Sequence, residues 1–513
     1  GMVGITIKQL SGGGAAGGAA GGSRSSTAVA KCIWMEAAKA GGDPAVAEGI
    51  DKEKNWRQGY VDHVVRVMML SALSRSHVLK TAAAGLKAAH ESFTFVRGDQ
   101  ELPLAAAMEL HAQHKFVTGV VKGGGAPHAQ SGSFPLNGKM MPEDDAKSQV
   151  QRWADYGCIE ADAAQALKES IDSVNKIDLS RHCFILLGAT SELGPLKTLM
   201  RHGGTAIGVS RNSPSRWRNL LDVVKQGSGQ IIFPMNKEAR DEEQKCEAAG
   251  CDLLVETPEI LQWLKEEAIC DKFDSVTVGC YLYLDGEAHV RASVAMDLIV
   301  TGLVEEGKKK GKKISVAYLG SPSTCVAIPQ ECYDASVKAQ HDAPFWQKML
   351  FLKPKVVEKV TTDTGETIYL NNGFVVLQGP NYALAKTLQM WRAMLLREEE
   401  KLIVSTNIAP GSRTLSVTHN TVLSSCLDGQ GHFKPLLTFE APTASEVLAL
   451  LLLHDVFSSS SITHPSKALT NPLLLFSKKA VHGGLWRSPW QPESIGTAAF
   501  VLGKVWKYHP EGL

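Results

Sequence analysis

"CFILLGATSELGPLKTLM", residues 183–200, begins as an unbroken apolar run and then passes through two glycines into helix-forming sequence. Strict alternation would mark a strand with one wet face. A short continuous run followed by a glycine turn marks a strand buried on both faces, as in a parallel sheet. Five more such runs follow: "GTAIGVSR", "GQIIFPM", "FDSVTVGCYL", "KISVAYLG" and "LIVSTNIAP". Helical stretches separate most of them, and strands alternating with helices predict a doubly wound parallel α/β sheet of Rossmann-like form. Thr257-Pro258-Glu259, ahead of "ILQWLKEEA", reads as N-cap, first helical position and first-turn acid.

Working outward, this nucleotide-binding type of sheet spans residues 181–458. Upstream, 27–180 is helical in pattern, with Val61, Val64, Val65, Met68 and Ala72 at spacings of three and four. It reads as an appended N-terminal helical domain. Residues 1–26 contain "SGGGAAGGAAGGSRSS", which cannot build a core and is expected to be disordered. Gly1-Met2 reads as an expression scar. Residues 459–513 form a C-terminal extension. Its stretch "HGGLWRSPWQP" reads as a pocket cap carrying His482, Trp486 and Trp490 or, in preference, as an aromatic-rich surface loop packed on the core. His419 and His454 read as structural.

With 513 residues, 44% of them hydrophobic, the chain can bury a large core. A net charge of +1 leaves no nucleic-acid footprint. The run "EEGKKKGKK", 305–313, reads as a solvated loop. Ten cysteines without a CxxC point to a reducing compartment and no disulfides. A cytoplasmic location is expected, with organelle import left open by the acid-poor Gly/Ala/Ser-rich start. No apolar run is long enough to span a membrane. No HExxH, GxSxG or GxxxxGK[ST] motif occurs, and no metal site is expected.

The glycine turn is the first candidate site. Gly188, Thr190, Ser191 and Gly194 lie between strand and helix, where backbone N–H groups can approach a pyrophosphate. A glycine-rich turn without a ligand is the alternative. The second strand ends in Arg211 where an acid would bind the ribose hydroxyls of NAD, so NADP is preferred over NAD. Arg211 as a plain solvent-facing residue stays open.

The second site is "GPNYALAKTLQMWRAML", 379–395, which places Tyr382 and Lys386 four apart on one helix face. A phenol can donate a proton to a carbonyl oxygen, and a nearby cation lowers its pKa. With nine tyrosines, about half a Tyr-x-x-x-Lys match is expected by chance, so context must carry the weight. That context is an apolar strand ending in Pro410-Gly411, then Thr414, then a further helix in "PLLTFEAPTASEVLALLLLHDVF".

Over residues 183–458 the chain thereby resembles the short-chain dehydrogenase/reductase superfamily. The resemblance implies that Tyr382 is the general acid/base and that Lys386 binds the nicotinamide ribose and lowers the tyrosine pKa. It implies Ser321 or Ser323, in "ISVAYLGSPST", as the group polarising the carbonyl. Gly188, Ser191 and Gly194 would line the pyrophosphate, Asp252 would lie near the adenine, and Pro410, Gly411 and Thr414 would border the nicotinamide.

Three departures stand out. Ser191 replaces the middle glycine of the turn. Ser321 precedes Tyr382 by 61 residues, far beyond the family's spacing, so residues 325–378 read as an insertion that shapes a substrate lid or buries the site. "HVRASVAMDLIVTGLV" holds no asparagine for the fourth catalytic position; His289 and Arg291 there could hold an anionic substrate or face solvent. The function expected is an NADP-dependent oxidoreductase acting on a small carbonyl or alcohol. A catalytically degenerate nucleotide-binding or assembly protein, and an enzyme of another reaction on the same sheet, are the alternatives. Partners are a small-molecule substrate, with a homo-oligomer left open.

Overall fold

The computed structural model describes residues 3–8, 25–109, 114–126, 133–375 and 378–508. Seven strands form the main sheet: β1 Val117–Lys122, β2 His182–Leu187, β3 Thr205–Val209, β4 Gln230–Met235, β5 Ser275–Cys280, β6 Lys313–Gly320 and β7 Ile403–Ile408. Their order is β7-β6-β5-β2-β3-β4-β1. All neighbours pair in parallel except β4 with β1. Counted from β2, the six parallel strands lie in the doubly wound order 3-2-1-4-5-6, whose switch point falls between β2 and β5. Leu187 pairs with Cys280 there, so both strands end level and open one crevice.

Successive side chains of a strand point to opposite faces. Cys183, Ile185 and Leu187 accordingly join one hydrophobic core, and Phe184 and Leu186 the other. Helices α1 Arg75–Ser92, α2 Leu196–Arg201, α3 Glu287–Lys310, α4 Gly379–Glu398 and α5 Ala441–Phe457 cover these faces. The first core takes α1, α3 and α4; the second takes α2 and α5.

The stretch 27–180 is more than a set of helices, and it does not stand apart. β1 extends the main sheet, and Phe93–Arg97 with Gln100–Pro103 belong to a second, three-stranded sheet. Its helices divide between the two faces: Trp34 packs edge-on against Trp391 of α4 at 5.4 Å, while Ala163 and Leu167 lie in the opposite core. Neither group buries its apolar side without the sheet's own layers.

Within the stretch 1–26, residues Gly4–Ile7 form a strand paired antiparallel with Phe93–Arg97, and Ile5 is fully buried. Most of the Gly/Ala-rich repeat lies outside the described residues. "EEGKKKGKK" is the last turns of α3, which ends at Lys310 and closes on Gly311 in the left-handed region. Three lysines there favour the helix carboxyl end. The Thr257 hydroxyl donates to the Leu253 carbonyl instead of capping, and the helix already includes Thr257.

The stretch 325–378, expected as an insertion, contains an antiparallel sheet of Cys325–Ile328, Thr367–Asn372 and Val357–Thr361 with a helix at Gln330–His341. The C-terminal extension packs inward, with His482, Trp486 and Trp490 all buried. All ten cysteines are free. Among the described residues no helix is long and apolar enough to cross a membrane.

Candidate functional site

The glycine turn opens directly off β2. The N–H groups of Gly188 and Ala189 both donate to the Val209 carbonyl, tying the turn to the end of β3. Gly188 has φ +103°, and a Cβ there would lie 2.5 Å from the Leu282 nitrogen. Glycine is therefore required by the chain leaving β5, independently of any ligand. Ser191 N–H donates to Gly188 and Gly194 N–H to Ser191, so the chain winds through turns before α2 begins at Leu196 behind Pro195. The helix entry expected at the glycines comes later and is short. Thr190 is spent on Ser210 at 2.8 Å.

Gly188, Arg211, Asp252, Leu254 and Leu282 line one narrow cleft. Arg211 and Asp252, both partly exposed, face each other at 3.4 Å. The two groups expected at the ribose and adenine ends thus meet, an exposed pair worth little on its own.

The second half lies at the carboxyl end of β6. Ser321 follows that strand and is 7% exposed. Its hydroxyl lies close enough to the Tyr382 phenol to lower that group's pKa, and is 2.8 Å from the Ser323 hydroxyl, which donates to Gln378 at 2.7 Å. The structure therefore brings Ser321, Ser323 and Tyr382 together across the insertion. Lys386, one turn along α4, donates to the Leu319 carbonyl at 2.9 Å, and its nitrogen is 5.9 Å from the centre of the Tyr382 ring.

The electrostatics differ from what the resemblance implies. Burial raises the Tyr382 pKa, and the nearby Ser321 hydroxyl, not Lys386, is what opposes the rise. Lys386 is itself brought down to about 8 by burial. Lys386 is engaged by the Leu319 carbonyl and does not figure among the causes that act on the phenol.

Around Tyr382 two rings were not anticipated. Tyr283 meets it edge-on at 6.3 Å, and His289 stacks on it at 5.9 Å. His289 is buried rather than solvent-facing, and Arg291 is held by Glu287 and the Ile5 carbonyl. Sequence gave no ring contact to read; only the position of His289 just after a strand hinted at the cleft.

No asparagine lies on α3 here, and Asp297 belongs to a separate network. Arg392 reaches it at 2.6 and 2.8 Å and His90 at 2.7 Å. Burial would raise this carboxyl, but Arg392 and His90 overcome it and hold the pKa low.

Pro410, Gly411 and Thr414 follow β7 at the sheet edge. Ala409 N–H donates to the Gly320 carbonyl, and Thr414 precedes a short helix, Leu415–Thr418. The Leu415 N–H donates to Glu192 of the glycine turn at 2.8 Å, tying the segment after β7 to that turn.

One metal-like cluster, Glu160, Cys332 and His482, has its ligand atoms within 4.8 Å of one another. Arg487 already engages both Glu160 oxygens at 2.8 and 2.7 Å, and burial pushes the Cys332 thiol up. Those are poor conditions for a thiolate ligand.

No protein-family profile and no curated protein matches the chain. Among solved structures, a short-chain type dehydrogenase/reductase from Mycobacterium marinum superposes with a TM-score of 0.34 at 10% identity, over 60% of this chain and 94% of its own. A protein assigned as a 2-deoxy-d-gluconate 3-dehydrogenase from Agrobacterium tumefaciens, with NADP bound, gives 0.33 at 12%, over 60% and 97%. At that similarity neither decides anything about this chain, whose fold rests on its own strand order.

Proposed function

We propose that the protein is an NADP-dependent oxidoreductase acting on a small carbonyl or alcohol substrate, with Tyr382 as general acid/base. The observation that supports this most is the placement of Ser321 beside the Tyr382 phenol, with Lys386 one turn further along α4, at the carboxyl end of β6. In this reading residues 181–458 are the nucleotide-binding domain and 325–378 its substrate lid.

The cleft suits the nucleotide: Arg211 is more than half exposed, so it can turn from Asp252 to a phosphate. Gly188, Thr190, Ser191 and Gly194 would hold the pyrophosphate, Arg211 the 2′-phosphate and Asp252 the adenine end. Pro410, Gly411 and Thr414 would border the nicotinamide, which supplies or takes the hydride when bound. Tyr382 gives its phenolic proton to the substrate oxygen during reduction and recovers it from solvent. Ser321 turns its hydroxyl from Ser323 to that oxygen and orients it, while Ser323, held on Gln378, fixes the position of Ser321.

A second reading, a nucleotide-binding protein without catalysis, draws on the raised phenol pKa and on Lys386 being spent on Leu319. Turnover separates the two. A panel of aldehydes and ketones with NADPH is expected to give reduction that Tyr382→Phe lowers by about 100-fold or more while nucleotide binding survives. Nucleotide binding with no turnover in the wild type would favour the second reading.

A further inference from the structure

His289 lies in the first turn of α3, just past the loop leaving β5, and is 1% exposed. Its ring stacks on Tyr382 at an interplanar angle of 23° and lies 4.8 Å from Tyr283. Nδ1 accepts the Leu284 N–H at 3.4 Å. A neutral imidazole accepting at Nδ1 carries its proton on Nε2. That Nε2 is buried without a hydrogen-bond partner.

Buried donors are almost always satisfied, and the exceptions ask for an explanation. Neutrality is secured by burial, with the Lys386 cation acting in the same direction, so this ring does not titrate near neutral pH. It is a fixed donor. Its position is informative too. Leu282, two residues before Leu284, is a wall of the cleft shared by Gly188, Arg211 and Asp252, while Tyr382 belongs to the group at the end of β6. His289 thus holds the loop that continues from the cleft wall, and stacks on the phenol.

Resting on the oxidoreductase reading, we propose that His289 is a ligand-binding residue whose Nε2–H is kept for an oxygen acceptor of the bound molecule. The acceptor class is a hydroxyl, amide or carbonyl oxygen, from either the nucleotide or the substrate. A neutral donor beside a cation suits an oxygen lone pair. It gives nothing to an ammonium group, so amines are disfavoured on the same ground. This is a residue of recognition, and no proton leaves it.

The test uses the full chain. In ¹⁵N-histidine-labelled wild type, the His289 Nε2 resonance, assigned by its loss in His289→Gln, is expected to shift when NADPH is added. If it stays put with NADPH and shifts only with a carbonyl substrate found by turnover, the acceptor is the substrate's. In parallel, His289→Phe keeps a stacking ring without the donor, and His289→Gln keeps a donor. His289→Phe is expected to weaken NADPH binding, or to raise the substrate KM with little change in kcat, by at least tenfold, and His289→Gln to recover part of the loss. Wild-type NADPH binding with an unmoved resonance in both complexes and wild-type constants in His289→Phe would overturn the proposal alone. Wild type that binds no nucleotide would overturn the oxidoreductase reading, and this proposal with it.

Discussion

Ser321 and Tyr382 lie 61 residues apart in the chain, yet the Ser321 hydroxyl sits beside the Tyr382 phenol at the end of β6 and lowers its pKa. The insertion between them leaves and returns as its own small sheet, so the strand end and the helix start meet as if it were absent. Removing the serine hydroxyl takes away the interaction that opposes burial at the phenol. Ser321→Ala is therefore expected to raise the Tyr382 pKa further, read by ultraviolet titration against Tyr382→Phe as blank. An unchanged titration would mean the hydroxyl does not bear on the phenol.

Lys386 has a folded pKa near 8, below its ordinary value. The sign follows from proton counts: between the folded and unfolded pKa values the unfolded state binds more protons, so stability rises with pH across that window and sits at its low plateau below about 8. Lys386→Met is expected to be more stable than wild type at pH 7 by about 1–2 kcal/mol, after discounting for its partial exposure. That advantage shrinks to nothing above the unfolded lysine pKa. Urea melts at pH 7 and 10.5 check it. A gain in stability with a loss of turnover is what a functional cation leaves behind.

Asp297 joins α1, α3 and α4 through His90 and Arg392. Asp297→Asn leaves the Arg392 guanidinium buried without its counter-charge, at a cost of about 3–5 kcal/mol. The carboxyl's folded pKa is held low, so its contribution is present above the ordinary aspartate range and lost as pH falls toward the folded value. Denaturant midpoints of wild type and variant should converge in acid. A wild-type midpoint for the variant at pH 7 would refute the network's role.

Gly188 is pinned by the backbone of Leu282. Gly188→Ala is expected to destabilise the fold by about 1–3 kcal/mol, from strain at positive φ and the overlap at Leu282. A larger side chain there could not serve as a clean block of nucleotide binding, because it displaces the β5 exit first. Thermal unfolding without ligand separates these effects.

The six parallel strands were legible because short continuous apolar runs between helical stretches fit strands covered on both faces. β1 was not, since "VTGVVK" is a partly exposed edge strand and carries no such run. Gly4–Ile7 was hidden by its length and by the glycines around it. Among candidate site residues, spacing could pair Tyr382 with Lys386, and position could bring Ser321 forward. That Gly188 serves the passing Leu282 backbone, that Arg211 meets Asp252, and that His289 stacks on Tyr382 are facts of tertiary approach between segments far apart in sequence. No local pattern encodes them.

The most direct measurement is a fluorescence titration of the wild-type chain with NADPH and NADH side by side, repeated on Arg211→Ser. Saturable NADPH binding at least tenfold tighter than NADH, with the preference narrowed by Arg211→Ser, is the result the account predicts. Binding of neither nucleotide would contradict it, and would leave Tyr382, Lys386 and Ser321 as packing on a doubly wound sheet.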